Sequence, residues 1–334
     1  MAHDAVPHGG GVRAAAARYH IPERDWLDLS TGINPWGYPV GELPARVWQR
    51  LPEPDPAFDA AARAYYGSAE LVAVPGTQAA LEWLPRLRAP GVVGVLVPTY
   101  GEYARTFTRA GWRVRPVVTR EIEAALPTLD ALVITNPNNP TGEQFSAATL
   151  RGWHEALARR GGWLIVDEAF ADAAPNQSLV ANCGAPGLVV LCSLGKFFGL
   201  AGLRLGMVGA EPALRLALAQ SLGPWAVSHP AQVVATRAWS DHGWQRDMRE
   251  RLRTQSAELA RLLAAAGLPP NGGCALFQWV RTTRAAEWHE HFARRGVLVR
   301  LFSEPASLRL GLPGGPEAVA RLKNVLQEVA REMA

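Results

Sequence analysis

The segment Leu191-Cys-Ser-Leu-Gly-Lys-Phe-Phe-Gly199 continues an apolar run, residues 188–192, that has the length and composition of a buried strand. Its Gly-Lys pair suggests a phosphate-binding P-loop, but Phe197 stands where that motif needs Ser or Thr. The alternative is a lysine in apolar surroundings, where desolvation favours the neutral amine that forms Schiff bases. A surface lysine is the simpler interpretation. Only Lys196 and Lys323 occur in the chain, which favours a functional role for Lys196.

Two segments closer to the N-terminus also follow predicted strands. Asn136-Pro-Asn-Asn-Pro-Thr-Gly142 comes directly after the apolar residues 131–135, and Asp167-Glu-Ala-Phe170 comes after residues 163–166. Ligands of open α/β sheets bind outside the carboxyl ends of the strands, so both segments are candidates for a binding site. The structural alternatives are a turn for the first segment and a solvated strand end for Asp167.

Short apolar runs alternate with helical segments around these motifs. This alternation predicts an α/β fold with a mostly parallel central sheet and helices on both faces. The strands predicted for this part of the chain are 71–74, 92–97, 114–118, 131–135, 163–166, 188–192 and 206–208.

The character of the chain changes after about residue 211. Long Arg-rich helical segments are followed by short strands and a closing helix, a pattern typical of a smaller α+β domain. These elements are predicted at 212–220, 230–266, 276–280, 297–300, 307–310 and 316–333. We therefore expect an N-terminal segment, 1–50, packed with the small domain, then a large domain, 51–225, and the small domain, 226–334.

Composition excludes several classes of protein. Of the 334 residues, 48% are hydrophobic and 19% are charged, which does not fit a disordered chain. The net charge of +4 is small and no basic–aromatic stripe occurs, so we expect no nucleic-acid partner. Residues 1–11 lack the apolar core of a signal peptide and no apolar run could span a bilayer, so no membrane partner is expected. Three scattered cysteines indicate a reducing cytoplasm. His289-Glu-His291 lacks the spacing of a zinc motif, so no metal is expected.

In chain order, Asn139-Pro-Thr-Gly, Asp167-Glu-Ala-Phe and Ser193-x-x-Lys196, with Arg204 eight residues later, resemble the fold-type I pyridoxal-phosphate (PLP) aminotransferase superfamily. The resemblance covers almost the whole chain. It implies an aspartate aminotransferase-like fold, in which the large domain binds PLP, and it implies a homodimer.

The resemblance also implies a role for each motif residue. Lys196 would bind PLP as a Schiff base and move protons, Asp167 would keep the pyridine nitrogen protonated, and Asn139 would donate to the ring oxygen O3′. Phe170 departs from the pattern, because many relatives carry Tyr there, and this departure speaks against ordinary transamination. The other implied cofactor contacts are Gly76, Thr77, Gln78, Ser193 and Arg204 at the phosphate, Tyr100 on the pyridine face, and Tyr66 from the partner subunit.

Two motifs in the N-terminal region indicate one branch of this superfamily. His8-Gly9-Gly10 and Asp28-Leu-Ser-Thr-Gly-Ile-Asn34-Pro resemble the threonine-phosphate decarboxylases of cobalamin biosynthesis. Those enzymes convert L-threonine O-3-phosphate to (R)-1-amino-2-propanol O-2-phosphate, so the implied partner is a small phosphorylated amino acid. His8, Gly9 and Asn34 would help to hold this substrate, and Arg309 would bind one of its anions as a guanidinium fork. The alternative for Arg309 is a strand arginine that faces solvent.

Two other functions stay open at this point. One is a histidinol-phosphate or related class I/II aminotransferase, which would need a 2-oxo acid acceptor. The other is a non-catalytic PLP-fold binding protein. Retention of Lys196 argues against the latter.

Overall fold

The apolar runs of the sequence form the strands of the molecule. In the computed structural model, which describes residues 8–333, the strands in chain order are β1 (Leu27–Asp28), β2 (Leu71–Val74), β3 (Val92–Leu96), β4 (Arg113–Val117), β5 (Ala131–Thr135), β6 (Trp163–Asp167), β7 (Leu188–Ser193), β8 (Gly206–Gly209), β9 (Gly272–Cys274), β10 (Phe277–Arg281), β11 (Val297–Leu298), β12 (Arg300–Phe302) and β13 (Ser307–Gly311).

Helices alternate with these strands. In chain order the α-helices are α1 (Val12–Tyr19), α2 (Ala45–Gln49), α3 (Pro56–Tyr66), α4 (Thr77–Trp83), α5 (Glu102–Arg109), α6 (Ile122–Ala125), α7 (Ala147–Ala158), α8 (Pro212–Leu222), α9 (His229–Ser240), α10 (His242–Ala265), α11 (Ala285–Arg294) and α12 (Pro316–Met333).

The main sheet has the strand order β2-β8-β7-β6-β5-β3-β4. Neighbouring strands from β7 to β4 are parallel, whereas β8 pairs antiparallel with both β7 and β2. Every residue of β5 and β6 is buried, as expected where helices cover both faces of a parallel sheet. The expected mostly parallel α/β sheet is therefore present.

The described chain divides into two compact units. The larger comprises Gly37–Asn139 and Gln144–Asp247, and the smaller comprises residues 8–36, Pro140–Glu143 and 248–333. The boundaries of these units differ from the domain boundaries expected from the sequence. Residues 37–50 belong to the larger unit because the Tyr38 N–H donates to the Phe198 carbonyl, and Arg237 donates to the Val40 carbonyl.

The smaller unit contains an antiparallel sheet of order β12-β13-β10-β9. In the same unit, β1 pairs in parallel with β11, which joins the N-terminal segment to the C-terminal part of the chain. The Gly311 N–H also donates to the Leu29 carbonyl at 2.7 Å. This contact brings the end of β13 beside residues 29–32.

One predicted helix is wrong. Residues 230–266 form two helices, α9 and α10, that are separated at Asp241, whose backbone is not helical. The Asp241 carboxylate accepts a hydrogen bond from the Trp244 N–H at 2.9 Å. An acidic side chain in this position satisfies a backbone donor in the first turn of the following helix, so Asp241 starts α10 as well as ending α9.

Candidate active site

A cavity of about 170 Å³ lies at the carboxyl ends of β5, β6 and β7 in the larger unit. All the residues expected to contact the cofactor line this cavity, with the exception of Tyr66. The lining residues are Gly76, Thr77, Gln78, Tyr100, Tyr103, Thr135, Asn139, Asp167, Ala169, Phe170, Ser193, Lys196 and Arg204.

The sheet positions the polar groups on one side of the cavity. Thr135, Asp167 and Ser193 are the last residues of β5, β6 and β7. Thr135 and Asp167 are register partners, so their side chains leave neighbouring strands on the same face. The cavity thus follows the usual position of ligand sites in open α/β sheets.

Lys196 lies in the turn after β7. Leu194, Phe197 and Phe198 are completely buried and hold this turn against the larger unit, while Lys196 itself is half-buried and lines the cavity. Its Nζ atom lies 5.6 Å from the centroid of the Phe170 ring, within the range of a cation–π contact. The turn therefore presents an amine to the cavity beside an aromatic face.

Asp167 is a buried carboxyl group. Its Oδ2 atom accepts a hydrogen bond from the Tyr103 hydroxyl at 2.7 Å, and Oδ1 accepts one from the Ala169 N–H at 2.9 Å. Burial raises the pKa of Asp167, while these hydrogen bonds and the charge of Lys196 act in the opposite direction. A positively charged ring nitrogen is the kind of partner that favours the ionised form of such a carboxyl.

Gly76, Thr77 and Arg204 also line the cavity. Gly76 has a φ of 78°, a conformation that residues with a side chain rarely adopt, and a Cβ atom there would lie 2.4 Å from the Arg204 Nη2 atom. The helix α4 begins at Thr77, and the first N–H groups of a helix have no partner within it. Together with the Arg204 guanidinium and the Ser193 hydroxyl, these donors suit a phosphate group.

Tyr100 is fixed by a series of hydrogen bonds from α4 and α5. Its hydroxyl donates to Gln78 Oε1 at 3.2 Å, and Gln78 Nε2 donates to Glu102 Oε2 at 3.2 Å. Arg105 Nε donates to the same Glu102 oxygen at 2.7 Å. Burial raises the pKa of Tyr100 to about 12. The Gln78 side chain therefore bonds to Tyr100 and Glu102, so Gln78 would bind an anion through its backbone N–H group.

The residues expected to bind substrate belong to the smaller unit. Arg309, on β13, is buried, and its Nη2 atom donates to the Ser30 carbonyl at 2.6 Å. A Cβ atom on Gly9 would lie 2.3 Å from the same carbonyl oxygen. Gly9 and Arg309 therefore both lie beside the Ser30 carbonyl. The burial of Arg309 excludes the alternative in which it faces solvent.

Asn34 and His8 have different surroundings. Asn34 is buried, and its Oδ1 atom accepts a hydrogen bond from the Trp36 N–H at 2.9 Å. This hydrogen bond fixes the turn of the backbone between the two residues. His8 is exposed. Their part in substrate binding stays a prediction.

Arg300 and Tyr103 were not singled out in the sequence. Arg300 is the register partner of Arg309 on the neighbouring strand β12, and no local motif marks it. Tyr103 follows Tyr100 by three residues at the start of α5, a spacing that places both on one side of a helical turn. That spacing was the available signal for Tyr103.

Tyr66 lies away from the cavity. It is 7% exposed, and its ring packs against Trp239 and Tyr65 within the larger unit. A side chain donated to a partner subunit must reach the surface. The expectation of a cofactor contact from Tyr66 therefore gains no support from its position.

No set of three or more His, Cys, Asp or Glu side chains within residues 8–333 is placed to hold a metal ion. Likewise, none of the helices described here combines the length and the apolar character needed to cross a membrane.

The sequence is similar to that of known PLP-dependent enzymes. Residues 44–326 match the family described as aminotransferase class I and II. The chain is 52% identical to a threonine-phosphate decarboxylase from Pseudomonas aeruginosa over 321 residues, which cover 96% of this chain and 97% of that relative. It is 40% identical to a threonine-phosphate decarboxylase from Sinorhizobium sp, with the same coverage of both chains.

A solved structure shows the same fold. Histidinol-phosphate aminotransferase from Sinorhizobium meliloti, in complex with pyridoxal-5'-phosphate, superposes with a TM-score of 0.85 at 19% identity and covers 97% of this chain and 95% of that chain. This similarity confirms the expected fold.

Proposed function

The chain belongs to the class I and II aminotransferase family, and from this we propose that it is a PLP-dependent decarboxylase of L-threonine O-3-phosphate. The product is (R)-1-amino-2-propanol O-2-phosphate, an intermediate of cobalamin biosynthesis. The observation that carries the proposal is the 52% identity, over nearly the full length of both chains, with a relative named threonine-phosphate decarboxylase.

The cavity in the larger unit has the donors that PLP needs. Arg204, Ser193 and the first N–H groups of α4 would hold the phosphate, and the lack of a Cβ atom at Gly76 lets the Arg204 guanidinium lie close to the start of α4. Tyr100 would lie against the pyridine ring and Asn139 would donate to O3′. When bound, PLP supplies the electron sink for the bond that breaks at Cα.

Lys196 and Asp167 have separate tasks in this reaction. Asp167, buried at the end of β6, holds the proton on the ring nitrogen by charge. The Lys196 side chain, beside Phe170 and in its protonated form, would donate a proton to the substrate Cα.

Arg309 and Arg300 supply positive charge for the substrate anions. Decarboxylation requires the carboxylate to lie out of the plane of the cofactor ring, so a substrate with two anionic groups must be held at both. Guanidinium groups bind carboxylate and phosphate through paired N–H donors. Gly9, Asn34 and His8 complete the set of substrate residues.

A homodimer in the cytoplasm completes the proposal. Trp48, Leu51 and Trp225 are large apolar side chains that are 66%, 60% and 58% exposed, and we propose them as contacts between the two subunits. All three cysteines are free thiols, as expected in a reducing compartment. Light scattering coupled to size exclusion would measure the oligomeric state.

Substrate comparison tests the proposed activity. Purified protein with PLP would be given L-threonine O-3-phosphate, L-serine O-phosphate, or histidinol phosphate together with 2-oxoglutarate. We expect the highest kcat/KM with threonine phosphate, and a smaller kcat/KM by about 10-fold or more for the analogue without the methyl group. If histidinol phosphate with 2-oxoglutarate were turned over and neither phosphorylated amino acid were, the protein would be an aminotransferase.

A further inference from the structure

A hydrogen-bond chain begins at Asp167 and continues through Tyr103 and Thr135, which line the same cavity. Asp167 Oδ2 lies 2.7 Å from the Tyr103 hydroxyl, which lies 2.9 Å from Thr135 Oγ1. Thr135 Oγ1 lies 3.2 Å from Thr99 Oγ1, and Thr99 donates to Asn138 Oδ1 at 3.0 Å. The chain thus joins the carboxyl group at the end of β6 to the residue beside Asn139.

The number of protons in this chain depends on Asp167. Five oxygens make four contacts, and the three hydroxyl groups of Tyr103, Thr135 and Thr99 supply one proton each. When Asp167 is ionised, one contact has no proton. The contact between Thr135 and Thr99 is the longest, at 3.2 Å, and it is the one left without a proton if Thr135 donates to Tyr103.

A protonated Asp167 would fill the chain completely. The carboxyl would donate to Tyr103, Tyr103 to Thr135, Thr135 to Thr99, and Thr99 to Asn138. Each hydroxyl only has to turn, so the chain accommodates both states of the carboxyl. Burial keeps the pKa of the Tyr103 phenol well above its usual range, so Tyr103 stays a donor in either state.

We propose that Tyr103 is a positioning residue that acts on the cofactor through Asp167, supported by Thr135. Its hydroxyl holds Oδ2 while the Ala169 N–H holds Oδ1, so the carboxylate is fixed in the orientation in which a remaining lone pair would meet the ring nitrogen of PLP. The proposal rests on the proposed PLP cofactor, but it does not depend on which bond of the substrate breaks.

The test compares the affinity of the cofactor in matched variants. Tyr103→Phe removes one hydroxyl and keeps the ring. Tyr19→Phe is the control, because the Tyr19 hydroxyl also donates to a carboxylate at 2.7 Å, on Glu290 in the smaller unit. The dissociation constant of PLP is measured by absorbance. We expect Y103F to raise it by about 10-fold or more and Y19F to leave it unchanged.

A cofactor analogue separates positioning from a merely structural effect. In the carbocyclic analogue of PLP, a C–H group replaces the ring nitrogen, so Asp167 has no charge to meet. We expect the difference between wild type and Y103F to disappear with this analogue. Thr135→Val should weaken PLP binding by about threefold, and by less than this when Y103F is already present.

Three results would contradict the inference. They are an unchanged PLP dissociation constant in Y103F, an equal loss of affinity for PLP and for the carbocyclic analogue, or full additivity of Y103F and T135V. Circular dichroism of the cofactor-free variants checks that they fold. If wild-type protein itself binds no PLP, the proposed function fails, which is a different outcome from a Y103F that binds normally.

Discussion

Arg300 and Arg309 stand directly opposite each other on the antiparallel strands β12 and β13. Burial, followed by the charge of Arg300, lowers the pKa of Arg309 to about 10. Like charges at directly opposed positions of a sheet are unfavourable, and burial increases this cost. An anion beside the two guanidinium groups would remove it, which is why we assign them to the substrate.

Replacement of Arg309 should weaken substrate binding more than it changes the fold. We expect Arg309→Met to raise KM for threonine phosphate by about 10-fold to 100-fold, the range for loss of hydrogen bonds to a charged group. The KM of Arg309→Lys should lie between those of wild type and R309M, because lysine keeps the positive charge but lacks the paired N–H donors of the guanidinium group. Arg281→Met is the control, since Arg281 is an exposed arginine at the end of β10. Equal KM values for R309M and R281M would refute this role.

A methyl group at Gly76 should damage the phosphate end of the cavity. The added Cβ would lie 2.4 Å from Arg204 Nη2, and the residue has a φ of 78°. We expect Gly76→Ala to raise the dissociation constant of PLP by about 10-fold or more, because Arg204 must move. Gly67→Ala is the matched control, with a φ of 66° and no heavy atom within 4 Å of the new Cβ.

Gly67→Ala should cost only backbone strain, about 1 kcal/mol of unfolding free energy, and leave PLP affinity unchanged. Titration of both variants with PLP and urea unfolding of the cofactor-free proteins distinguish the two effects. Equal PLP affinities in the two variants would mean that Gly76 is needed for its backbone alone.

Glu102 should act on the cofactor through Gln78 and Tyr100. Glu102→Ala frees the Gln78 amide and weakens PLP binding by a few-fold, because one hydrogen bond in the series is lost. In a Tyr100→Phe background the same change should have no further effect. Glu82→Ala is the control, because Glu82 also accepts a hydrogen bond from Arg105, at 2.9 Å. PLP titration of the four proteins measures the coupling, and additive effects would contradict it.

Glu168 should make stability depend on pH. Its carboxylate accepts hydrogen bonds from the Ser178 hydroxyl and the Leu179 N–H, but burial raises its pKa from 4.5 to about 7. The folded state therefore holds this proton more tightly than the unfolded state. The stabilisation is complete below pH 4.5 and is lost as the pH rises through 7, which amounts to roughly 3 kcal/mol at most.

Glu168→Gln tests this dependence, since glutamine is neutral at every pH and keeps an acceptor for the Leu179 N–H. Urea unfolding of the cofactor-free proteins should show wild type losing stability relative to E168Q between pH 4.5 and 7. The exposed Glu123→Gln variant should follow wild type throughout. Parallel curves for wild type and E168Q would show that Glu168 does not titrate in this range.

Local sequence was sufficient for the parts of the site that follow strands. Asp167 ends a buried apolar run, and Asn139 and Lys196 each follow such a run within four residues. Runs of this kind end at one edge of a parallel sheet. Their order along the chain carried the resemblance to the family, and the structure brings all three to one cavity.

Other features depend on contacts between distant parts of the chain. Arg300 became a candidate only through its register with Arg309, and Tyr103 through its hydrogen bond to Asp167, 64 residues away. The burial of Tyr66 depends in part on its contact with Trp239 from α9. The break at Asp241 was missed because one acidic residue in a polar helical pattern also fits a helix interior.

The most direct measurement uses L-threonine O-3-phosphate that carries 13C in its carboxyl group. The protein is incubated with this substrate and PLP, without any 2-oxo acid, and labelled carbon dioxide and aminopropanol phosphate are followed over many turnovers. The account predicts sustained release of both in equal amounts. No labelled carbon dioxide, with amino-group transfer once 2-oxoglutarate is added, would contradict it and identify an aminotransferase.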